Sequence, residues 1–562
     1  MKLSTGLAAL FAMIATPAFA QDTTLYRGGP IVTMDGDTPT TVEAVVTHGD
    51  RIAFAGTEKA ARKAAGKDAA IHDLHGATML PGFIDAHSHF TVATMSAGGL
   101  DLRNKAHAGV TDIPKLQAAI RDYIAARAIP PDGWVVVWQY DHEGLAEKRH
   151  ITRAELDAVA ADRPIVLLHV SLHGAVANSA ALKAVGIDEA TPVPPGGMML
   201  RDDSGKLNGV LLEKAMFLLL AKMPQPTAEQ KLAALDAAQN AYFAEGYTHA
   251  QDGATQPPDV AFLTSPAARD RLKIDLALLP FSPGLDALLA NPDIKFGTYQ
   301  GHVKLQGIKF VLDGSVQART GFFTRDYARG SPQGAHPWHG QPILTEEEFI
   351  AQAKKANDRH WQLFVHANGD AAIDMAIRGF DALGIKAADD RRPIVIHSQF
   401  QRPDQFAAYR RIGVGPSYFT NHAWYWADVH RTNFPAEVVD FISPLRSAKR
   451  AGLIASNHSD YSVTPLDTRF MLWTSMARVS PTGIVSGPNE RLSAYEALQA
   501  LTTGPAWQAF EEDRKGRIKP GLLADFVILD KNPLTTPVAG IKDIRVLETI
   551  KEGTTVWRAA PR

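Results

Sequence analysis

The stretch PGFIDAHSHF, residues 81–90, joins a Pro-Gly turn to a short apolar run and ends in two histidines that are two residues apart. Side chains of a strand alternate between its faces, so His87 and His89 point to the same side. Two imidazoles side by side at the end of a strand can bind one metal ion. Two unrelated loop histidines would give the same letters, so the rest of the chain has to decide.

Composition is that of a soluble globular enzyme. The 562 residues are 45% hydrophobic and 21% charged, with a formal net charge of -2. Such a balance gives no electrostatic reason to expect nucleic acid or a membrane surface as a partner. The chain has no cysteine, which excludes disulfides, thiolate metal sites and cysteine nucleophiles.

Residues 1–20, MKLSTGLAALFAMIATPAFA, have the pattern of a cleavable signal peptide. Lys2 precedes an apolar run over residues 7–15, and Ala18-Phe19-Ala20 forms an A-x-A cleavage site before Gln21. The run is too short to span a bilayer. The pattern predicts a periplasmic or secreted mature protein. A poorly ordered N-terminal helix is the alternative.

The two ends of the remaining chain resemble each other and differ from its middle. Residues 21–80 and 515–562 contain short alternating segments, such as AVVTHGDRIAFAG and VLETIKEGTTVWRA, that are broken by Gly-Asp and Glu-Gly turns. This texture is typical of β structure. We predict one small β-sandwich built from both termini.

Residues 81–514 alternate short apolar strands with helical stretches such as EQKLAALDAAQNAYFAEG. Repeated strand-helix units favour an α/β fold, a distorted (β/α)8 TIM barrel that serves as the catalytic domain. The rival doubly wound sheet lacks its G-x-G-x-x-G fingerprint here. Residues from about 95 to 210 exceed one barrel unit and contain a hairpin turning at Ser204-Gly205, so they are predicted to be an insertion.

Four further polar residues lie in or after the candidate barrel strands. His366 ends LFVHA, His397 ends IVIH, Asp460 follows LIASNHS, and Lys309 lies within GIKFVL. In a barrel the carboxyl ends of the strands meet at one mouth, where active sites form. A single histidine at a strand end is more often structural, but this ordered set predicts a metal site.

The order of these motifs resembles the amidohydrolase superfamily, and the phrases resemble its family 3 branch, which includes N-substituted formamide deformylase-like proteins. Matching stretches include PGFIDAHSH, GIKFVLDGSVQART, FVHANGDAAID, VIHSQ and SNHSDYSVTPLD. The resemblance covers essentially the whole mature chain. It implies a distorted barrel with a terminal β-sandwich and one or two divalent metals, usually zinc. Its metal positions correspond to His87, His89, Lys309, His366, His397 and Asp460.

Within that resemblance, His87, His89 and Asp460 hold the more buried metal, and His366 and His397 hold the second. Lys309 requires a separate account, because an ammonium group would be repelled by two dications. A buried lysine loses its proton readily, and the neutral amine can take up carbon dioxide to form a carbamate that bridges both metals. Lys304 is the competing lysine, and the motif favours Lys309.

Asp460 is the expected general base, which takes a proton from the attacking water and passes it to the leaving nitrogen. Asp85 is expected to orient a ligand or to close a structural hydrogen bond. His458 is interpreted as no better than a loop histidine.

Substrate contacts are less clear from the sequence. The resemblance places His173 and Asn178 near the pocket, although both could simply pack the insertion. Arg319 could bind an anionic group or lie on the surface. The aromatic segment HAWYWADVH, residues 422–430, includes Trp424 and predicts either an apolar substrate wall or a lid.

The sequence therefore predicts an exported, metal-dependent hydrolase that cleaves an amide-like C–N bond of a small molecule. No G-x-S-x-G elbow and no G-x-x-x-x-G-K-[ST] loop occurs, which argues against a serine hydrolase of that type and against a P-loop NTPase. A hydrolase of cyclic amides, esters or carbamates, or an isomerase on the same metal site, is the alternative enzyme. A periplasmic binding protein on the same fold is the non-enzyme alternative, and a homodimer is kept open as the oligomeric state.

Overall fold

The structure, a computed structural model, describes residues 23–96, 99–102 and 109–560. The predicted signal peptide, residues 1–20, lies outside the described residues. Within the described part, no helix has the length and apolar character needed to cross a membrane.

Strands from both ends of the chain form one eight-stranded sheet. The N-terminal and C-terminal strands meet in an antiparallel pair, with Val527 opposite Leu80 and Phe526 opposite Pro81. The sheet is branched, because the first strand pairs with Ala70–Asp73 along its first half and with Thr78–Pro81 at Ile31. The strands are Thr23–Val32, Thr41–His48, Arg51–Gly56, Ala70–Asp73, Thr78–Pro81, Phe526–Leu529, Val546–Lys551 and Thr554–Arg558.

Eight parallel barrel strands follow in chain order, in agreement with the predicted distorted TIM barrel. They are Phe83–Ile84, Tyr247–Thr255, Asp275–Pro280, Gly307–Val311, Gln362–Ala367, Ile394–His397, Gly415–Tyr418 and Ser456–Asn457. A bridge from Phe281 to Lys309 links the third strand to the fourth. Hydrogen bonds from Asp460 N to His87 O and from His89 N to Tyr461 O join the segments after the last and the first strands. Tyr299–Gln300 and Val303–Leu305 extend the sheet beside the third strand.

In the sequence, the strands of a separate six-stranded sheet come between the first and second barrel strands. Its strands are Leu100–Asp101, Val135–Tyr140, Ile165–His169, Gly174–Ala177, Gly197–Arg201 and Leu207–Glu213. The last two form an antiparallel hairpin around residues 202–206, as the turn at Ser204-Gly205 predicts. Separate apolar clusters pack the sheet, which makes this insertion a unit with its own core.

Helices flank these sheets, and several begin at capping boxes that the sequence encodes. Thr227 and Gln230 cap the longest helix reciprocally, and Thr345 and Glu348 do the same for a barrel helix. The α-helices are Glu58–Ala65, Phe90–Ser96, Ile113–Ala126, Arg153–Asp157, Ser179–Val185, Lys214–Leu220, Ala228–Ala244, Pro257–Leu263, Pro266–Arg269, Leu285–Ala290, Glu346–Asp358, Asp370–Ala382, Gln405–Ile412, His422–Tyr425, Ala427–Arg431, Ala436–Val439, Leu445–Arg450, Thr468–Ala477, Ala494–Gln499 and Thr503–Gln508.

Candidate metal centre

The His-x-His pair follows the first barrel strand, and both rings are held through their Nδ1 atoms. His87 Nδ1 lies 2.9 Å from Gln251 Oε1, and His89 Nδ1 lies 2.9 Å from the carbonyl oxygen of Gly253. A side chain at Gly253 would not fit, because its Cβ would lie 2.1 Å from His87 Cε1. Partners on Nδ1 that leave Nε2 available are typical of metal-binding histidines.

Asp460 faces both Nε2 atoms from the loop after the last barrel strand. Its Oδ1 lies 3.4 Å from His89 Nε2 and 3.8 Å from His87 Nε2. That oxygen is buried and accepts no hydrogen bond from the described residues. Asp460 has φ +48°, a left-handed conformation that is strained for a non-glycine residue and is found mainly at functional sites. Burial raises the pKa of Asp460, but neighbours led by His89 outweigh it and hold the pKa below its ordinary value.

Lys309 reaches the same group of side chains from the fourth barrel strand. Its Nζ lies 3.1 Å from His87 Nε2, and the residue is 2% exposed. Burial lowers the pKa of Lys309 to about 7, with Asp460 opposing the shift, so a large share of the amine is neutral at neutral pH. The competing lysine, Lys304, is engaged elsewhere, in a buried ion pair with Glu511.

His366 and His397 lie at the ends of adjacent parallel strands, and their ring centroids are 4.6 Å apart. Both are buried. His366 Nδ1 lies 3.2 Å from Asp313 Oδ1 without a hydrogen bond, and the ring centroid of His397 lies 6.0 Å from that of His87. The second predicted pair of ligands is therefore adjacent to the first.

His458 belongs to the site, although the sequence interpretation made it a loop histidine. Its Nε2 lies 3.1 Å from His397 Nδ1, and its Nδ1 lies 2.9 Å from Ser417 Oγ. Ligand atoms of His397, His458 and Asp460 all lie within 4.8 Å of one another. The sequence does hold one signal for this role of His458. It comes directly after the last barrel strand, just as His87 and His89 come after the first.

Two buried carboxylates fix the loops around the site. Asp85 accepts hydrogen bonds from the backbone N–H and the hydroxyl of Ser459, which ties the first strand to the loop after the last one. Asp313 accepts hydrogen bonds from the backbone N–H groups of Asn368 and Gly369 at 2.9 and 2.8 Å. Burial raises the pKa of each carboxyl to about 7. Asp85 thus closes a structural hydrogen bond, one of the two roles expected for it, and Asp313 was missed.

The structure brings together all six predicted metal positions, namely His87, His89, Lys309, His366, His397 and Asp460. A buried carboxylate oxygen on Asp460 and the buried Nδ1 of His366 have no hydrogen-bond partner among the described residues, an arrangement that is costly unless a further partner is bound. Imidazole and carboxylate donors in this number suit a divalent metal. The residues present therefore fit such an ion.

His173 reaches the site from the insertion, as the resemblance implies. Its ring centroid lies 5.0 Å from that of His366. Its Nδ1 lies 2.8 Å from Glu213 Oε2, and Glu213 is a second residue that the sequence interpretation missed. The signal for Glu213 was a charged residue closing the apolar strand GVLLE.

The side chain of Asn178 has no polar atom left for a substrate, so this residue packs the insertion instead of binding substrate. Its Oδ1 accepts hydrogen bonds from the N–H groups of Ile165 and Ala181, and its Nδ2 donates to the carbonyl oxygens of Ala160 and Arg163. Asn178 caps the helix Ser179–Val185. Asparagine is a preferred N-cap residue, which explains its presence in this motif.

Trp424, predicted to belong to a substrate wall or a lid, is half-buried and packs on a neighbouring helix. Its ring packs on Trp473 and Phe470, with centroid distances of 5.2 and 6.0 Å, at the helix Thr468–Ala477. Phe419 is the aromatic residue beside the centre, because its ring stacks on His458 with centroids 5.2 Å apart.

Arg319 is half-buried. Among the described residues, its guanidinium donates hydrogen bonds to one acceptor, the carbonyl oxygen of Ser331. Burial and the nearby Arg329 lower its pKa. A guanidinium group that contacts no carboxylate can bind an anionic group of a ligand. Binding of such a group by Arg319 therefore stays a prediction.

Among the described residues, the other groups of histidine and acid side chains that could hold a metal ion have cations beside them. In the insertion, His142 Nδ1 lies 3.0 Å from His169 Nε2 beside Asp141, with Arg319 and Arg329 as positive neighbours. At the amino ends of the barrel strands, His249, Asp275 and Glu511 enclose Lys515, which forms ion pairs with both acids. These surroundings disfavour a divalent ion, which leaves the mouth of the barrel as the candidate site.

The chain is similar to known proteins over most of its length. Residues 70–557 match the model of the amidohydrolase family. The chain is 30% identical over 528 residues to the N-substituted formamide deformylase of Arthrobacter pascens, covering 91% of this chain and 94% of that protein. It is 26% identical over 553 residues to the putative amidohydrolase YtcJ of Bacillus subtilis (strain 168), covering 95% and 99%.

Solved structures show the same fold. An uncharacterized metal-dependent hydrolase from Pyrococcus horikoshii OT3 matches with a TM-score of 0.72 and 22% identity, over 92% of this chain and 99% of that one. A second such hydrolase, from Pyrococcus furiosus, matches with a TM-score of 0.70 over 91% of this chain and 100% of that one, also at 22% identity. The chain belongs to the amidohydrolase family and is a hydrolase that acts on carbon–nitrogen bonds.

Proposed function

We propose that the protein is an exported hydrolase of small-molecule amides and that Asp460 is its general acid and base. The observation that supports this most strongly is the buried Oδ1 of Asp460, which accepts no hydrogen bond from any described residue and lies within 4 Å of the Nε2 atoms of His87 and His89. A free carboxylate oxygen in that position is suited to bind a cation and to exchange protons with a water molecule.

His87, His89 and Asp460 would hold one divalent ion, and His366 and His397 would hold a second. Zinc is the first ion to test, because imidazole and carboxylate ligands suit it. Such an ion supplies Lewis acidity, which lowers the pKa of water and polarises a carbonyl group.

Lys309 is proposed to react with carbon dioxide. Its neutral amine would attack the carbon atom, so that an N–C bond forms and one N–H proton passes to solvent, leaving a carbamate. The low pKa of Lys309 and its short distance to His87 support this step. The carbamate would replace a cationic side chain by an anionic one beside the metal ligands, which removes the repulsion that an ammonium group would cause.

Asp460 would take one proton from the attacking water and deliver it to the leaving nitrogen as the C–N bond breaks. The pKa of Asp460 lies below its ordinary value, so the carboxylate is ionised at neutral pH and ready to act as a base. After one proton transfer it becomes the acid that protonates the amine, so a single group serves both steps.

N-substituted formamides are the first substrate class to test, because the Arthrobacter relative is a deformylase of such compounds by name. Their hydrolysis adds water across the C–N bond and yields formate and an amine. Arg319 is kept as the candidate for an anionic part of the substrate.

The test is steady-state hydrolysis of N-substituted formamides and simple acylamides by purified protein whose metal content has been measured. Release of amine that depends on the bound metal would support the proposal. Export is tested separately by the mass of the protein from its native host, for which a mature N-terminus at Gln21 is expected and a retained Met1 would contradict it.

A further inference from the structure

The insertion brings two polar side chains, His173 and Glu213, to the edge of the metal centre. His173 follows the strand Ile165–His169, and Glu213 ends the hairpin strand Leu207–Glu213. Neither residue belongs to the barrel, yet the ring of His173 lies 5.0 Å from that of His366. The insertion is thus in direct reach of a molecule bound at the metal.

The two side chains act as a pair. His173 Nδ1 lies 2.8 Å from Glu213 Oε2, and the backbone N–H of Glu213 donates to the carbonyl oxygen of His173 at 2.9 Å. Because Nδ1 is occupied, Nε2 is the ring atom of His173 that can meet a ligand. A carboxylate on one nitrogen fixes the orientation of an imidazole and the tautomer it adopts.

Glu213 is held in a position that folding alone would not favour. The residue is 3% exposed, its Oε1 accepts no hydrogen bond from the described residues, and its φ is +52°. Gly314 makes room for it, since a Cβ there would lie 2.1 Å from Glu213 Oε1. A buried carboxylate with a free oxygen and a strained backbone is costly, and such features are found mainly at functional sites.

We propose that Glu213 is a positioning residue, which orients His173 so that its Nε2 hydrogen-bonds the scissile amide group of the substrate beside His366. This inference rests on the proposed amide hydrolysis and deepens it, because it assigns to the insertion a contact with the reacting group. A ring displaced by about 1 Å can lower turnover roughly 10²-fold, so the orientation of His173 has a measurable effect.

The test compares four variants of the full-length, metal-loaded protein: His173→Ala, Glu213→Ala, Glu213→Gln and the double variant His173→Ala/Glu213→Ala. His173→Ala and Glu213→Ala should each lower kcat by about 10- to 100-fold with a smaller change in KM, because the contact is strongest in the transition state. Glu213→Gln should recover to within about fivefold of wild type, since its amide oxygen can accept the same hydrogen bond. Asp203→Ala, at the exposed turn of the same hairpin, is the matched control and should leave kcat unchanged.

The double variant separates positioning from a merely structural role. If Glu213 acts through His173, the double variant loses no more activity than His173→Ala alone. Additive losses, or wild-type turnover in Glu213→Ala at unchanged metal content, would overturn the proposal.

A binding measurement keeps this test apart from the proposed reaction. Acetohydroxamic acid, an amide analogue that binds metals, should bind the metal-loaded wild type and lose about tenfold in affinity in His173→Ala and in Glu213→Ala, but not in Glu213→Gln. Equal affinity in all variants would overturn the inference even in a protein that cleaves amides. If the protein shows this pattern of affinities but does not hydrolyse amides, only the proposed function is contradicted.

Discussion

The two ends of the barrel each enclose a buried group of histidines, acids and lysine, and the two groups differ in how their charges are matched. At the amino ends of the strands, Lys515 pairs with Asp275 and Glu511, and Lys551 pairs with Asp275 and Asp525. At the mouth, Asp460 Oδ1 accepts no hydrogen bond from the part of the chain that the structure describes, and the pKa of the nearby Lys309 is lowered to about 7 by burial. Matched charges stabilise a fold, whereas unmatched donors and acceptors are available to bind a ligand.

We refer to the first group as the lower network and to the second as the metal centre. The comparison teaches that residue types alone do not define a metal site, because both groups contain histidine and carboxylate ligands within reach of one another. What separates them is the presence of cations that already satisfy the acids. Variants of the two groups should therefore differ in which property they change.

Removal of the metal should have the largest effect. Dialysis against a chelator, or the change His87→Asn, should lower kcat by more than about 10³-fold, because water activation and carbonyl polarisation are both lost. Readdition of zinc should restore the chelated wild type but not the variant. Full turnover after complete removal of metal, verified by elemental analysis, would mean that hydrolysis does not depend on this centre.

Asp460→Asn should have the next largest effect on activity. The amide keeps the size of the side chain and one ligating oxygen but cannot shuttle a proton, so kcat should fall by roughly 10²–10⁴-fold. Metal content and melting temperature should stay close to those of wild type. Near wild-type turnover with metal still bound would show that another residue is the general base.

Lys309→Ala should abolish most activity but allow partial chemical rescue. If a carbamate on Lys309 carries negative charge to the centre, short carboxylic acids such as propionate can occupy the vacated space and replace its oxygens. The measurement is kcat against propionate concentration, with Lys304→Ala as the comparison that propionate should not rescue. A mass spectrum without the added carbon dioxide, together with no rescue, would exclude the carbamate.

The lower network should respond in stability rather than in chemistry. Lys515→Met removes the cation that pairs with both Asp275 and Glu511, so the buried group keeps Lys551 and Lys304 but has one positive charge fewer. Breaking a buried ion pair typically costs up to about 3–5 kcal/mol. At temperatures where the variant remains folded, its kcat should match that of wild type within about twofold, because distant sites that share no partners act independently. Lys519→Met is the control, because that lysine is 56% exposed and lies 3.8 Å from its acidic partner. A large loss of kcat in folded Lys515→Met would remove the distinction between the two groups.

The smallest expected effect is a change in the acid sensitivity of folding. Burial acts to raise the pKa of Glu511, but Lys515 and Lys304 outweigh it and hold the pKa far below its ordinary value. Its contribution to stability is thus fully present above the unfolded pKa of about 4.3 and is lost as the pH falls below it. Unfolding by denaturant at pH 3 to 7 should show a weaker dependence on pH in Glu511→Gln than in wild type, and identical slopes would contradict the prediction.

Much of this arrangement is readable from the sequence because it depends on local patterns. Apolar runs that lead into His366 and His397, and the run before Asp460, predict parallel strands whose ends meet at one mouth. The structure places these side chains together. His458 was overlooked because no pattern distinguishes a ligand from a loop histidine when only its neighbour Asp460 fits a motif. Its role depends on a contact with His397, 61 residues away along the chain.

The insertion was harder to interpret for the same reason. Asn178 stands in a motif that predicts a place near the pocket, but its side chain is fully used in capping a helix and in hydrogen bonds to Ile165, Ala160 and Arg163. The sequence alone does not separate these structural roles from substrate binding. Glu213 had no motif at all, since it is brought to His173 by a hairpin 40 residues later. Contacts between distant segments decide such roles, and periodicity carries no information on them.

Anomalous diffraction at the zinc edge, from crystals of protein purified without chelators or immobilised-metal resin, shows where a metal ion binds. We expect a peak between His87 Nε2, His89 Nε2 and Asp460 Oδ1 and none within the lower network. Stoichiometric metal bound among Asp275, His249 and Glu511, or no ion at the mouth of the barrel in active protein, would contradict it.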